Sequence, residues 1–194
     1  MALPEDHALP PMGLEEHLYR SRTVLVFGEI TDAVAQRAGA ALLAMSAESA
    51  APILVVVSSP GGHVESGDVV HDLIRYVEPE VSILGTGWVA SAGAVIYSAV
   101  PRERRLALPN TRFLLHQPRG AVSGPAADVE IEAAQMLEVR ARLNQLFAAA
   151  TGQPLERIER DTIRNHWMNA AEALEYGLVG RIVDSWRYAL GHKG

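Results

Sequence analysis

Short apolar runs alternate with longer, half-apolar stretches along this chain. Residues 23–27 (TVLVF), 53–57 (ILVVV) and 81–84 (VSIL) are continuous apolar runs closed by glycine or serine, and the pattern predicts three buried strands. A helix capped by Thr31 or Asp32, with Val34, Leu42 and Leu43, fills the first interval to about Met45. The second interval places Val69, Val70, Leu73, Ile74 and Val77 on one face of a helix over 66–77, which Pro79 stops. After the third strand come a turn around Ser91 and a small-residue helix to about Val100. Residues 104–108 and 112–115 read as short strands around a Pro109-Asn110 turn, and 119–125 as a glycine-containing loop or edge strand. The longest helix is predicted over 125–150, about 39 Å, with a surface polar enough to project or to meet a partner. A helix from Pro154 through Ile163 follows, then an extended stretch over 165–168. An Asn169/Glu172 capping box opens a short helix closed by Gly177, and Ile182-Val183 is the last strand. Residues 1–20, with Pro4, Pro10, Pro11 and an amphipathic piece over 14–19, read as a flexible arm ahead of one domain over 21–194. Alternation of this kind makes right-handed crossovers and a largely parallel sheet, so the fold class is α/β.

Composition narrows the chemistry. The 194 residues are 48% hydrophobic and 21% charged, ordinary for a soluble domain with a real core. No apolar run is long enough for a bilayer span, and the acidic, proline-rich start is unlike a secretory signal, so the expectation is a cytoplasmic protein with no membrane partner. A net charge of −6 argues against nucleic acid. The absence of cysteine removes thiolate nucleophiles and Cys-ligated zinc, and no metal ligand set is read. Lys193 is the one lysine, near the C-terminus, which disfavours a Ser/Lys dyad.

Three features at strand ends carry candidate chemistry. Ser91 sits at a strand-to-helix junction, where the free N–H groups of a first helical turn can hold an oxyanion; taken alone, the stretch favours the plainer reading of a serine N-cap. His116 ends the apolar strand over 112–115, where a general base can meet Ser91, whereas His7, His17 and His192 lie near the ends and His71 in mid-helix. Gly61 and Gly62 read as a tight turn or as backbone that lets an N–H approach a substrate carbonyl. Ligands of such sheets gather beyond the carboxyl ends of the strands.

Eight collinear segments then stand out: SPGG (59–62), VASAGA (89–94), LPNTR (108–112), HQP (116–118), DVEIE (128–132), TGQ (151–153), ERIERDT (156–162) and AEALEYGLV (171–179). Together they resemble the ClpP family of self-compartmentalised serine peptidases, over about 22–183. The resemblance implies a ClpP/crotonase-like core of βαβ repeats, with the 125–150 helix as the projecting "handle" that joins two stacked heptameric rings. It implies Ser91 as nucleophile, His116 as general base and the N–H groups of Gly62 and Ala92 as oxyanion hole. The segments Gly61, Gly62, His63, Val64 and Arg119, Gly120, Ala121 would clamp an extended peptide by strand addition. Unfolded polypeptides would be delivered by an AAA+ unfoldase of the Clp type, which uses the ATP; the chain itself would need no cofactor.

Two positions depart from the family pattern. Where an aspartate usually completes the triad, this chain has Asn165, whose carbonyl oxygen can orient His116 but cannot stabilise an imidazolium with a full charge. A triad Asp→Asn exchange in a trypsin-type enzyme costs about 10⁴ in kcat, so the expectation is a slow or assembly-dependent peptidase. Residues 1–20 also match poorly the family's axial loops. The rival reading is a structural or regulatory ring subunit partnered with an active ClpP paralogue. An α/β-hydrolase is disfavoured because Val89 stands where GxSxG needs its first glycine.

Overall fold

A computed structural model describes residues 13–120 and 122–185. The chain opens with helix α1 (Leu14–Arg20), then β1 (Thr23–Phe27), α2 (Asp32–Glu48), β2 (Ile53–Ser59), α3 (Val64–Tyr76), β3 (Val81–Ala90) and α4 (Ala92–Tyr97). Next come a 3₁₀ turn (Arg102–Arg104), β4 (Arg105–Ala107), β5 (Arg112–Leu115) and the long α5 (Ala126–Thr151). The chain ends with α6 (Leu155–Thr162), β6 (His166–Asn169), α7 (Ala170–Tyr176) and β7 (Arg181–Ile182). The α/β class and the largely parallel sheet agree with the sequence reading.

The sheet runs β1-β2-β3-β4-β7, all parallel, with β5 also pairing β3 in parallel and β6 added antiparallel to β5. Strand β3 is the axis of the molecule. At ten residues it is long enough to hold β4 along its first half and β5 along its second, so one strand feeds two diverging branches. The apolar run over 81–84 marks only the start of this strand; Gly85 to Ala90 continue it rather than turning. Gly87, at φ +61°, takes up the irregularity where the register with β2 shifts between Val57 and Ser59. Strands β4 and β5 do not form a hairpin; each pairs with β3.

Strand β2 is buried along most of its length on both faces, whereas β1 leaves Leu25 and Phe27 exposed on one face. Ile53, Val55 and Val57 are wholly inside, in one cluster with Val34, Leu42 and Met45 of α2 and Val70 and Ile74 of α3, while Leu54 packs with Leu84, Leu106 and Val183 in a second, smaller cluster. Helix ends follow the capping chemistry. Thr31 accepts from the N–H of Val34, the Asn169/Glu172 box is formed, and Gly152 and Gly177 close their helices in the left-handed conformation. Pro125 and Pro154 stand just outside the helices they precede. In the described part of the arm, residues 14–20 are helical and Tyr19 packs on the core. Residues 1–12 lie outside the described residues.

Candidate active site

The end of β3 sets the position of Ser91. Its N–H donates to the Leu114 carbonyl of β5 at 3.0 Å, and the chain then reverses into α4 with Ser91 at φ +54°. Positive φ at a residue with a side chain is held only where the surroundings impose it, and such residues cluster at working sites. The N-cap reading fails in one respect: the Ser91 hydroxyl makes no capping bond. Its carbonyl accepts from Ala94 and Val95, leaving the amides of Ala92 and Gly93 among the unpaired donors of the first turn.

The turn after β2 arches directly over this serine. Ser59 Oγ accepts from the Gly61 N–H at 3.0 Å, and a Cβ at Gly61 would stand 2.6 Å from Ser91 Cβ. Gly62 forms a parallel bridge with Ile30, whose N–H donates to the Gly61 carbonyl and whose carbonyl accepts from the His63 N–H. Because the neighbours make the bridge, the N–H and carbonyl of Gly62 itself point to the other side. The approach is close enough that a Cβ on Gly62 would lie 2.3 Å from the Ile30 oxygen.

His116 follows β5, one residue beyond the Leu115–His166 pair of the antiparallel ladder, so His116 and Asn165 face one another across β5 and β6. Gln117 fixes this corner by donating its N–H to Thr162 and its amide to Ile163. The His116 ring is half-buried and its Nδ1 has no hydrogen-bond partner. Burial, and secondarily the Arg119 guanidinium, hold the imidazole below its ordinary pKa. The Asn165 oxygen is already engaged: it accepts from Arg119 at 2.6 Å. His116, Arg119, Arg164 and Asn165 line one cleft of about 600 Å³ with Gln117, Pro118 and Ile163. The structure therefore places Ser91 and His116 just beyond the carboxyl ends of the neighbouring strands β3 and β5, and Asn165 just before β6, but links Asn165 to Arg119 and not to the histidine.

The peptide-clamping segments fare unevenly. Val64 is the first residue of α3 and packs towards the core, and the His63 N–H donates to Ile30. His63 is exposed and tied through Nδ1 to Ser66, which in turn donates to Asp32, and through Nε2 to Glu65. These bonds brace the glycine turn from outside. Gly120 lies against α5, where a Cβ would meet Met136, and Ala121 lies outside the described residues. Sequence reasoning missed the His63–Ser66–Asp32 brace and the Arg119–Asn165 bond. The spacing of polar residues at helix starts could have hinted at the first; nothing local encodes the second.

A Clp protease family profile matches residues 12–186. The chain belongs to the Clp protease family. It is 53% identical to the ATP-dependent Clp protease proteolytic subunit 3 of Rhizobium johnstonii over 177 residues, covering 90% of this chain and 91% of that one. It is 54% identical to proteolytic subunit 2 of Gluconobacter oxydans over 178 residues, 91% and 80% of the two chains. Among solved structures it resembles the ClpP1 N165D mutant from Listeria monocytogenes, with a TM-score of 0.84 and 44% identity over 90% of this chain and 98% of that one. Clp proteolytic subunits are serine peptidases, and this chain is of that class. Among the described residues of this Clp chain no group of His, Cys, Asp or Glu is arranged to hold a metal, and no helix is long and apolar enough to cross a membrane.

Proposed function

We propose that Ser91 is the nucleophile of an endopeptidase that cuts unfolded polypeptides inside two stacked heptameric rings, fed by an AAA+ unfoldase of the Clp type in the cytoplasm. The observation that carries this reading is the strained Ser91 at φ +54°, with its hydroxyl free of helix capping and Gly61 packed against it. His116 takes the hydroxyl proton as Ser91 Oγ bonds to the peptide carbonyl. The N–H groups of Gly62 and Ala92 receive the oxyanion, and the proton passes to the leaving amine. Water then repeats the sequence on the acyl-enzyme. Asn165 is the weak member, able to orient His116 but not to stabilise its cation. The chain needs no cofactor of its own, since ATP is consumed by the unfoldase. An apolar groove of about 600 Å³, bordered by Leu14, Leu25 and Phe27, gives an ATPase partner a face to dock on.

A second reading is favoured by the unpartnered His116 Nδ1: a ring subunit with little chemistry of its own, paired with an active ClpP paralogue. Intact mass after incubation with a fluorophosphonate separates the two. The peptidase reading expects one adduct on the wild type, none on Ser91→Ala, and labelling at least tenfold faster on Asn165→Asp. A wild type that stays unlabelled while Asn165→Asp reacts would favour the structural subunit. An Asn165→Asp rate within a factor of two of wild type would remove Asn165 from the triad.

A further inference from the structure

We propose that Arg119 is a positioning residue that restrains the candidate active site by holding the Asn165 amide oxygen away from His116. The inference rests on the reading of Ser91 and His116 as the working pair. A guanidinium carries donors only, so the Asn165 atom 2.6 Å from Arg119 Nη2 is the amide oxygen, the one atom of that side chain able to accept the His116 Nδ1 proton. The antiparallel register sets His116 opposite Asn165, a separation that a short side chain can bridge. Yet Nδ1 is buried and unpartnered, whereas the Asn165 oxygen accepts from Arg119. A neutral imidazole whose Nδ1 proton finds no acceptor carries its proton on Nε2 instead, and that tautomer cannot take a proton from Ser91. Arg119 thus acts on the reaction through Asn165, by deciding which nitrogen of His116 is free.

The surroundings of His116 give the contact further weight. Arg164 lines the same cleft, and no carboxylate does among the described residues. His166, the first residue of β6, lies against Tyr176 with the two ring planes tilted, and the Tyr176 hydroxyl donates to Asp161. Elsewhere in the fold Arg142 pairs with Asp68, and Arg102 donates to the carbonyls of Leu174 and Val179. Arg119 instead uses a side chain that the site itself needs.

The test measures the rate of fluorophosphonate adduct formation on the full-length protein from pH 5 to 9, by intact mass. The variants are Arg119→Met, Arg119→Lys, Asn165→Asp, Asn165→Ala and the pairs of Arg119→Met with each Asn165 change. Arg119→Met is expected to raise the high-pH plateau rate at least fivefold and to move the acid limb to higher pH. Arg119→Lys, which keeps the charge, is expected to leave the acid limb near its wild-type position. In the Asn165→Ala background the plateau gain should vanish, because the amide that transmits it is gone, while with Asn165→Asp it should persist. A plateau that Arg119→Met changes less than twofold, or raises equally in Asn165→Ala, would overturn the proposal. Should Asn165→Asp label at Ser91 while the Arg119 changes do nothing, this inference alone falls. Absence of a Ser91 adduct in every variant would bring down the peptidase reading and the inference with it.

Discussion

Gly62 is the residue at which backbone chemistry is most tightly specified. Its φ of +150° is one that side chains rarely adopt, and its Cα sits so close to the Ile30 backbone that a methyl group has no room. The strain of Gly62→Ala would be relieved by opening the Ile30 bridge, which swings the Gly62 N–H off the oxyanion position. The adduct rate is expected to fall by about 10²–10³, the usual cost of one oxyanion donor, with the far-UV circular dichroism unchanged. An unaltered rate would take Gly62 out of the oxyanion hole. At this scale the sequence was readable where residue type and strand position coincide. Ser91, His116 and the glycine pair all lie at the carboxyl ends of strands, and the strands show in the apolar pattern. What escaped was long-range and side-chain specific. Arg119 reaches Asn165 across 46 positions. Arg22, at φ +52°, turns its guanidinium onto the carbonyls of Met45, Ser49, Ala51 and Pro52, and no periodicity encodes either arrangement.

Among the elements, helix α5 is the one whose own chain leaves it incomplete. Its only buried residues are Leu143, Asn144, Phe147 and Thr151, all in the C-terminal half, whereas Ile131 is 59% and Leu137 61% exposed. Arg142 ties the helix to Asp68 of α3, and no residue of its N-terminal half is buried. Under the ring reading, this half meets its counterpart in the facing ring. Ile131→Asp with Leu137→Asp would then bury two carboxylates without partners. Sedimentation is expected to show particles of half the wild-type mass, folded and with the same circular dichroism. An unchanged particle size would mean that α5 does not carry the ring-to-ring contact. Helix limits were legible because capping residues and glycines punctuate them. The length of β3 was not, since Gly85 to Ala90 carry no apolar run and become a strand through pairing with β2, β4 and β5. Nor was it legible that the two short strands around Pro109-Asn110 complete different branches of β3, because their partners are distant in sequence.

For the molecule as a whole, acid stability should depend on the corner where α6, β6 and α7 close behind the site. Asp161 accepts from the Tyr176 hydroxyl at 2.9 Å, with Arg157 and Arg160 alongside. Burial pushes its carboxyl up, but the Tyr176 bond and the charges of His166, Arg160 and Arg157 outweigh this and leave it below the ordinary carboxylate range. Burial and Asp161 together push the Tyr176 phenol up, so it remains a donor at any working pH. A carboxyl whose folded pKa is depressed adds stability above its unfolded value, near 4, and that contribution is lost as pH falls through the folded value. Asp161→Asn keeps the acceptor for Tyr176 and removes the charge, which should cost about 1 kcal/mol at pH 7, or roughly 3 °C in Tm for a chain of this size. Below its folded pKa the wild-type side chain is itself a neutral acceptor. Melting curves at fixed protein concentration are therefore expected to separate wild type and variant at pH 7 and to converge as pH falls below about 4. A gap that stays constant across that range would mean that Asp161 acts through its shape and not its charge, and that the acid sensitivity of the fold originates elsewhere.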